Sequence, residues 1–350
     1  MRLKETPEDF VVDEIATDGF VRSIEPHRDH PYLVVRVSKR DCAHFDLTRS
    51  VSRRFSIPES DLGIGGIKDR RAVTSQFVTL PNRERISSAF SDSSVIPIAT
   101  DTGVATLELL GSSLRRMTIG AIFGNRFSIR AIVSEDERLG LDRIPRSVRV
   151  PNYFGSQRFG RNAENVALGY ALVSGDFAFV RDTLLSRSSD DPLSFVRRIS
   201  RKKRMLYVSA FQSAIFNAEL VDRFRGGVLD SLEDPISGLT HVAMDRVYDE
   251  CDFSDDIPIV SLGSPLTQFQ ESVLEKLSLS PRSFAIRQLP DIMFEPVVRA
   301  SSIEVSFTSF ELDKDLRVSF ELPKGSYATV VLESVSSMAS RISAKTSSGD

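Results

Sequence analysis

The stretch Gly63–Phe77, GIGGIKDRRAVTSQF, sets one carboxylate, Asp69, among Gly65, Gly66, Lys68, Arg70 and Arg71. Glycines let a turn bring its backbone close to a ligand. Neighbouring cations hold a carboxylate in its ionised form, and an ionised carboxylate can act as a nucleophile. The cations also suit an anionic partner. No Gly-Lys-Ser/Thr follows the glycines, so the run is not a nucleotide P-loop. By pattern alone the plainer reading is a surface turn with a solvated charge run. The segment then alternates, Val73, Ser75, Phe77 and Thr79 on one side and Thr74, Gln76, Val78 and Leu80 on the other, which predicts a strand.

Four other stretches hold residues of chemical interest. Lys4–Glu14, KETPEDFVVDE, passes from a polar turn into a strand with Phe10 as a core candidate. Gly124-Asn125-Arg126-Phe127 reads by pattern as a hairpin turn before an alternating strand. The side-chain amide there offers one donor group and one acceptor. Val150–Gly160, VPNYFGSQRFG, is a loop rich in glycine and aromatics that carries Arg158. Leu322–Thr329, LPKGSYAT, carries Tyr327. His27-Arg28-Asp29-His30 lacks the company a catalytic zinc site needs and reads as a polar loop.

The elements that must position these residues follow from periodicity. Pro31–Ser38 is a strand. Asp41–Arg54 is a helix with Asp41 as its cap and Arg53-Arg54 at its C-terminal end. Residues 82–105 are loop-like, and Leu107–Leu110 is a short strand. Residues 161–285 are mostly helical, and Met205–Arg223 has the clearest helical spacing. Residues 301–334 return to strands, including Ala328–Leu332, and 335–350 read as a frayed serine-rich tail. The run Arg197–Arg204, RRISRKKR, is the most basic in the chain and a candidate contact for a nucleic-acid backbone.

Composition bounds the class. The chain has 350 residues, 41% hydrophobic and 27% charged, with a net charge of −3. That is ordinary for a globular protein of two domains, or of one with a large insertion. No apolar run approaches a membrane span and the N-terminus carries no signal-peptide core. Two cysteines without metal spacing suggest a reducing, cytoplasmic setting. The negative net charge argues mildly against nucleic acid, but the segregated basic clusters permit a basic cleft.

Taken together, the five motifs resemble the TruD family of pseudouridine synthases. The matching residues run in order from Lys4 to Thr329 and include Gly66, Lys68, Asp69, Ala72, Thr74 and Gln76. The resemblance implies an α+β fold, with a catalytic domain whose mixed β-sheet is flanked by helices and interrupted by an inserted TruD-specific α/β domain. The boundaries would be 1–151 and 300–350 for the catalytic domain and 152–299 for the insert. It implies isomerisation of uridine to pseudouridine in tRNA, at uridine 13 of the D arm, with no cofactor, no metal and no obligate protein partner. It nominates Asp69 as nucleophile and Lys4 beside it. Phe10 and Tyr327 would stack on the uracil, Asn125 would read its edge and Phe127 would wall the pocket. Lys68 would orient the acid and Arg158 would touch phosphate. Two rivals stand beside this reading. A non-catalytic RNA-binding protein would need the basic surface but not Asp69. A two-carboxylate glycoside hydrolase would need a second acid that no motif nominates.

Overall fold

Alternating β-branched and aromatic residues from both ends of the chain build one mixed sheet. The computed structural model describes residues 1–3, 5–25, 29–185, 190–231, 235–248 and 251–347; Lys4 and His27 lie outside these. In chain order the strands are β1 (Arg2–Leu3), β2 (Phe10–Ala16), β3 (Tyr32–Arg40), β4 (Gly63–Ile64), β5 (Val73–Pro81), β6 (Val95–Ile98), β7 (Val104–Ser113), β8 (Ile122–Ile132), β9 (Ser147–Pro151), β10 (Asp256–Pro258), β11 (Val298–Ala300), β12 (Ser302–Leu312) and β13 (Leu316–Pro323). Neighbours run β6-β7-β3-β5-β2-β8-β13-β12, with β1 beside β8 and β4 beside β5. β2 lies parallel to β5, while β3–β5, β2–β8 and β8–β13 are antiparallel. The α+β architecture expected from the motif order is the one found.

The chain divides into two compact units, Met1–Val148 with Val305–Ala328 and Ala339–Asp350, and Arg149–Glu304 with Thr329–Met338. In the first unit, the helix His44–Phe55 lays Leu47, Val51 and Phe55 on the inward stripe Leu33, Val35 and Val37 of β3 and on Leu107 of β7. The second unit is mainly helical. Its central helix Arg201–Arg225 buries Val208, Phe211, Ala214 and Ile215 among residues of the helix Glu164–Ser174, including Leu168, Ala171 and Leu172. No helix among the described residues is long and apolar enough to cross a membrane.

Four local expectations are corrected. Asp41 does not cap the following helix, which starts at His44 after Ala43; Asp41 instead takes φ of 49° at the corner leaving β3. The 82–105 stretch holds the helical turn Glu84–Ser87 and the edge strand β6. Gly124-Asn125 is not a turn but lies inside β8, with Gly124 opposite Pro323 and Asn125 opposite Leu322. A Cβ at Gly124 would stand 2.0 Å from the Leu322 carbonyl oxygen, so close strand approach, rather than turn geometry, requires the glycine. Finally, Ala328–Ser347 is a 20-residue helix, neither strand nor frayed tail. Its buried set Ala328, Val331, Leu332, Val335 and Ala339 follows the helical three-and-four spacing. The run of Thr329, Val330 and Val331 imitates a strand only over a short window.

Candidate active site

The Asp69 loop connects β4 to β5 within the first unit, and main-chain contacts hold it at several points. Gly65 sits so close to Ile122 of β8 that a Cβ would meet the isoleucine Cδ1 at 2.1 Å. Beyond it, Lys39 at the end of the β3 inward stripe donates to the Asp69 carbonyl oxygen at 2.6 Å and to the Cys42 carbonyl oxygen at 2.7 Å. The Asp41 amide donates to the Ala72 carbonyl at 3.2 Å, and the Ala72 amide to the Arg70 carbonyl at 2.9 Å. An exposed ion pair of 3.7 Å joins Arg70 to Asp41. The side chain of Lys68 turns inward and is buried, whereas Asp69, Arg70 and Arg71 are exposed.

Lys68 reaches a break in the sheet. The β2–β5 ladder ends at Asp13 opposite Ser75. One residue on, the Glu14 carboxylate replaces the missing strand contact: its Oε1 accepts from the Phe77 amide at 3.0 Å. Its Oε2 pairs with Lys68 Nζ at 2.9 Å, and both side chains are buried. The same ammonium donates to Asn125 Oδ1 at 2.5 Å. With its oxygen engaged by Lys68, the Asn125 amide turns its acceptor inward, and its Nδ2 supplies donors only. Lys68 therefore ties the loop to β2 and β8.

The strand register sets the surroundings. Lys39, Thr74, Val12, Phe127 and Phe320 fall in one row across β3, β5, β2, β8 and β13. Glu14 and Asn125 face each other two rows further along, past Asp13 and Arg126. Phe127 stacks on Phe320 at 5.6 Å and 28°, and Phe10 meets Phe127 edge-on at 6.0 Å. Phe10 and Phe127 are 3% and 6% exposed, so they form a buried wall and offer no open stacking face. Tyr327 is half-buried, in the turn that leaves β13 after Leu322, the partner of Asn125. The Thr74 hydroxyl and both amide atoms of Gln76 are buried on β5 without a hydrogen-bond partner among the described residues, a pattern that water or another group completes in folded proteins.

The structure thus brings Lys68 and Asn125 together, with Asp69 exposed as the residue after Lys68, Phe10 and Phe127 buried along the same strands and Tyr327 beyond the strand end. Arg158 belongs to the second unit, half-buried, with its guanidinium 5.6 Å from the Phe154 ring centroid. The basic run is less available than its letters suggest. Arg204 is buried and grips Asp291 with two bonds of 2.8 and 3.1 Å. Arg201 donates to the Asp291 carbonyl and Arg197 to that of Gln288, while Lys202 and Lys203 are exposed. Two residues escaped the motif reading as contributors to the site, Glu14 and Lys39. A signal for Lys39 was present: it continues the buried alternation Leu33, Val35, Val37, where a lysine needs a specific partner.

Known proteins similar to this chain share one family description. The family described as tRNA pseudouridine synthase D (TruD) matches residues 1–192 and 261–335. A tRNA pseudouridine synthase D of Anaeromyxobacter dehalogenans is 28% identical over 94% of this chain and 91% of its own. That of Xanthomonas axonopodis pv. citri is 29% identical, covering 94% and 89%. A solved Methanosarcina mazei structure that carries the TruD name has the same fold, with a TM-score of 0.62 at 22% identity over 96% of this chain and 93% of that one.

Proposed function

The chain belongs to the tRNA pseudouridine synthase D family, and from that premise we propose that it converts uridine 13 of the tRNA D arm to pseudouridine with Asp69 as nucleophile. The reaction breaks the N1–C1′ bond, turns the base and forms a C5–C1′ bond; the proton on C5 is lost and N1 gains one. The observation that carries the assignment is the division of labour in the Lys68-Asp69 pair. Lys68 is consumed by Glu14 and Asn125 inside the sheet, and Asp69 stands exposed on a loop whose backbone is held. An acid in that position meets substrate without leaving its anchor. The Asn125 Nδ2 donors suit a uracil carbonyl, and Tyr327 offers a stacking face of the kind worth about 1–3 kcal/mol per base.

The catalytic domain is read as 1–151 with 300–350, and 152–299 as the insert; the split of the chain into units near 148 and 305 supports that reading. Arg158 in the insert is assigned to phosphate, and the enzyme to the cytoplasm, where two buried free cysteines stay reduced. Mapping pseudouridine in tRNA transcripts incubated with the protein tests the reading. A new pseudouridine at position 13 is the expected result. Tight tRNA binding with no pseudouridine anywhere would favour the non-catalytic binding-protein alternative or a pseudouridine synthase that acts on a different RNA.

Burial removes Arg204 from the candidate phosphate contacts of the basic run; of its exposed members, Lys202 and Lys203 lie outside the bonds that Arg197, Arg198 and Arg201 make and are the first to test. Replacing both with alanine is expected to weaken tRNA binding and to flatten the slope of log K against log salt by about 1–2. An unchanged slope removes this run from the RNA interface.

A further inference from the structure

We infer that Lys39 is the positioning residue of the site: its ammonium, buried beneath the loop, fixes the main chain at Asp69. The inference rests on Asp69 being the nucleophile. Lys39 is 2% exposed, and burial pushes its pKa below the ordinary lysine value while Cys42 and Asp69 pull it back. Burying a cation is unfavourable unless its donors are satisfied. An ammonium has three donors, and here all three meet main-chain oxygens: Asp69 at 2.6 Å, Cys42 at 2.7 Å and Lys68 at 3.5 Å. The two short ones have the length of charge-assisted bonds.

These acceptors belong to two segments, the corner after β3 and the loop before β5. Lys39 therefore joins them through carbonyls, independent of which side chains the loop carries. Holding the carbonyl of residue 69 sets the plane of the following peptide and with it the direction in which the Asp69 side chain leaves the backbone. Lys68 constrains the neighbouring residue through its own side chain. The ammonium beneath the loop is thus the group that orients Asp69 itself. It touches backbone, so its role is positioning and not chemistry.

The test compares Lys39→Met, Lys39→Gln and Val37→Ala under single-turnover conditions, with saturating tRNA, at a temperature where circular dichroism shows each folded. Val37 lies on the same buried stripe and controls for lost stability. Lys39→Met is expected to slow the step about 10²-fold with tRNA affinity unchanged, the size of effect that small misplacement produces. Lys39→Gln, which keeps one donor, is expected to recover about ten-fold of that loss, and Val37→Ala to react at the wild-type rate. Hydrogen exchange of the peptide covering residues 66–72 is read on the same proteins and is expected to accelerate in Lys39→Met only. A Lys39→Met protein with wild-type rate and exchange overturns the inference, as does a Val37→Ala protein that slows equally. If the wild type makes no pseudouridine, the functional reading fails and the exchange measurement alone still decides whether Lys39 holds the loop.

Discussion

Asp69→Asn is expected to lower single-turnover pseudouridine formation by at least about 10³-fold, on the scale of losing a nucleophile, while tRNA affinity stays within a few-fold. The substitution keeps shape and removes charge at an exposed position, so folding should change little, within about 0.5 kcal/mol. The bond from Lys39 runs to the carbonyl of residue 69, which asparagine retains. Loss of product with retained binding and retained melting temperature isolates the carboxylate as the reacting group. An Asn variant that turns over normally removes Asp69 from the chemistry.

Lys68→Met should be the most damaging change to stability at the site. It leaves the Glu14 carboxylate buried opposite a thioether, and breaking one side of a buried ion pair costs about 3–5 kcal/mol. It also releases Asn125 Oδ1, so this amide loses its fixed orientation. Urea unfolding read together with turnover checks both effects. Adding Glu14→Gln to Lys68→Met should restore part of the stability, because no charge then lacks a partner, but should leave the variant inactive. A Lys68→Met protein as stable as the wild type would mean that Glu14 finds water or another cation.

How far these features could be read from the sequence depended on the range of the forces involved. The strand Tyr32–Arg40 and the helix Arg201–Arg225 follow from local alternation and helical spacing, which one segment encodes by itself. Asp69, Lys68 and Asn125 were named from their motifs, and the meeting of Lys68 with Asn125 is a tertiary fact: they are 57 residues apart, one in the loop before β5 and the other inside β8. Gly124-Asn125 read as a turn because glycine beside asparagine usually is one, and nothing local reveals a neighbouring strand pressed against Gly124. The helix Ala328–Ser347 was missed because β-branched residues open it, and burial on one side outweighed their weak preference. Arg204 sat among exposed cations in the sequence, with no hint that Asp291 would reach it.

The place of β13 carries a consequence for how the protein is made. It lies between β8 and β12, and Ser128 meets Ser319 at a separation of 191 positions along the chain. Until that late strand leaves the ribosome, β8 has an open edge and Phe127 lacks the ring that stacks on it. At typical synthesis speeds the wait lasts roughly 10–40 s. During that time a hydrophobic strand edge is available to any other nascent chain. A polypeptide stopped short of β13 should therefore aggregate, not survive as a weak enzyme, and yield in a heterologous host should depend on chaperones that guard the ribosome exit.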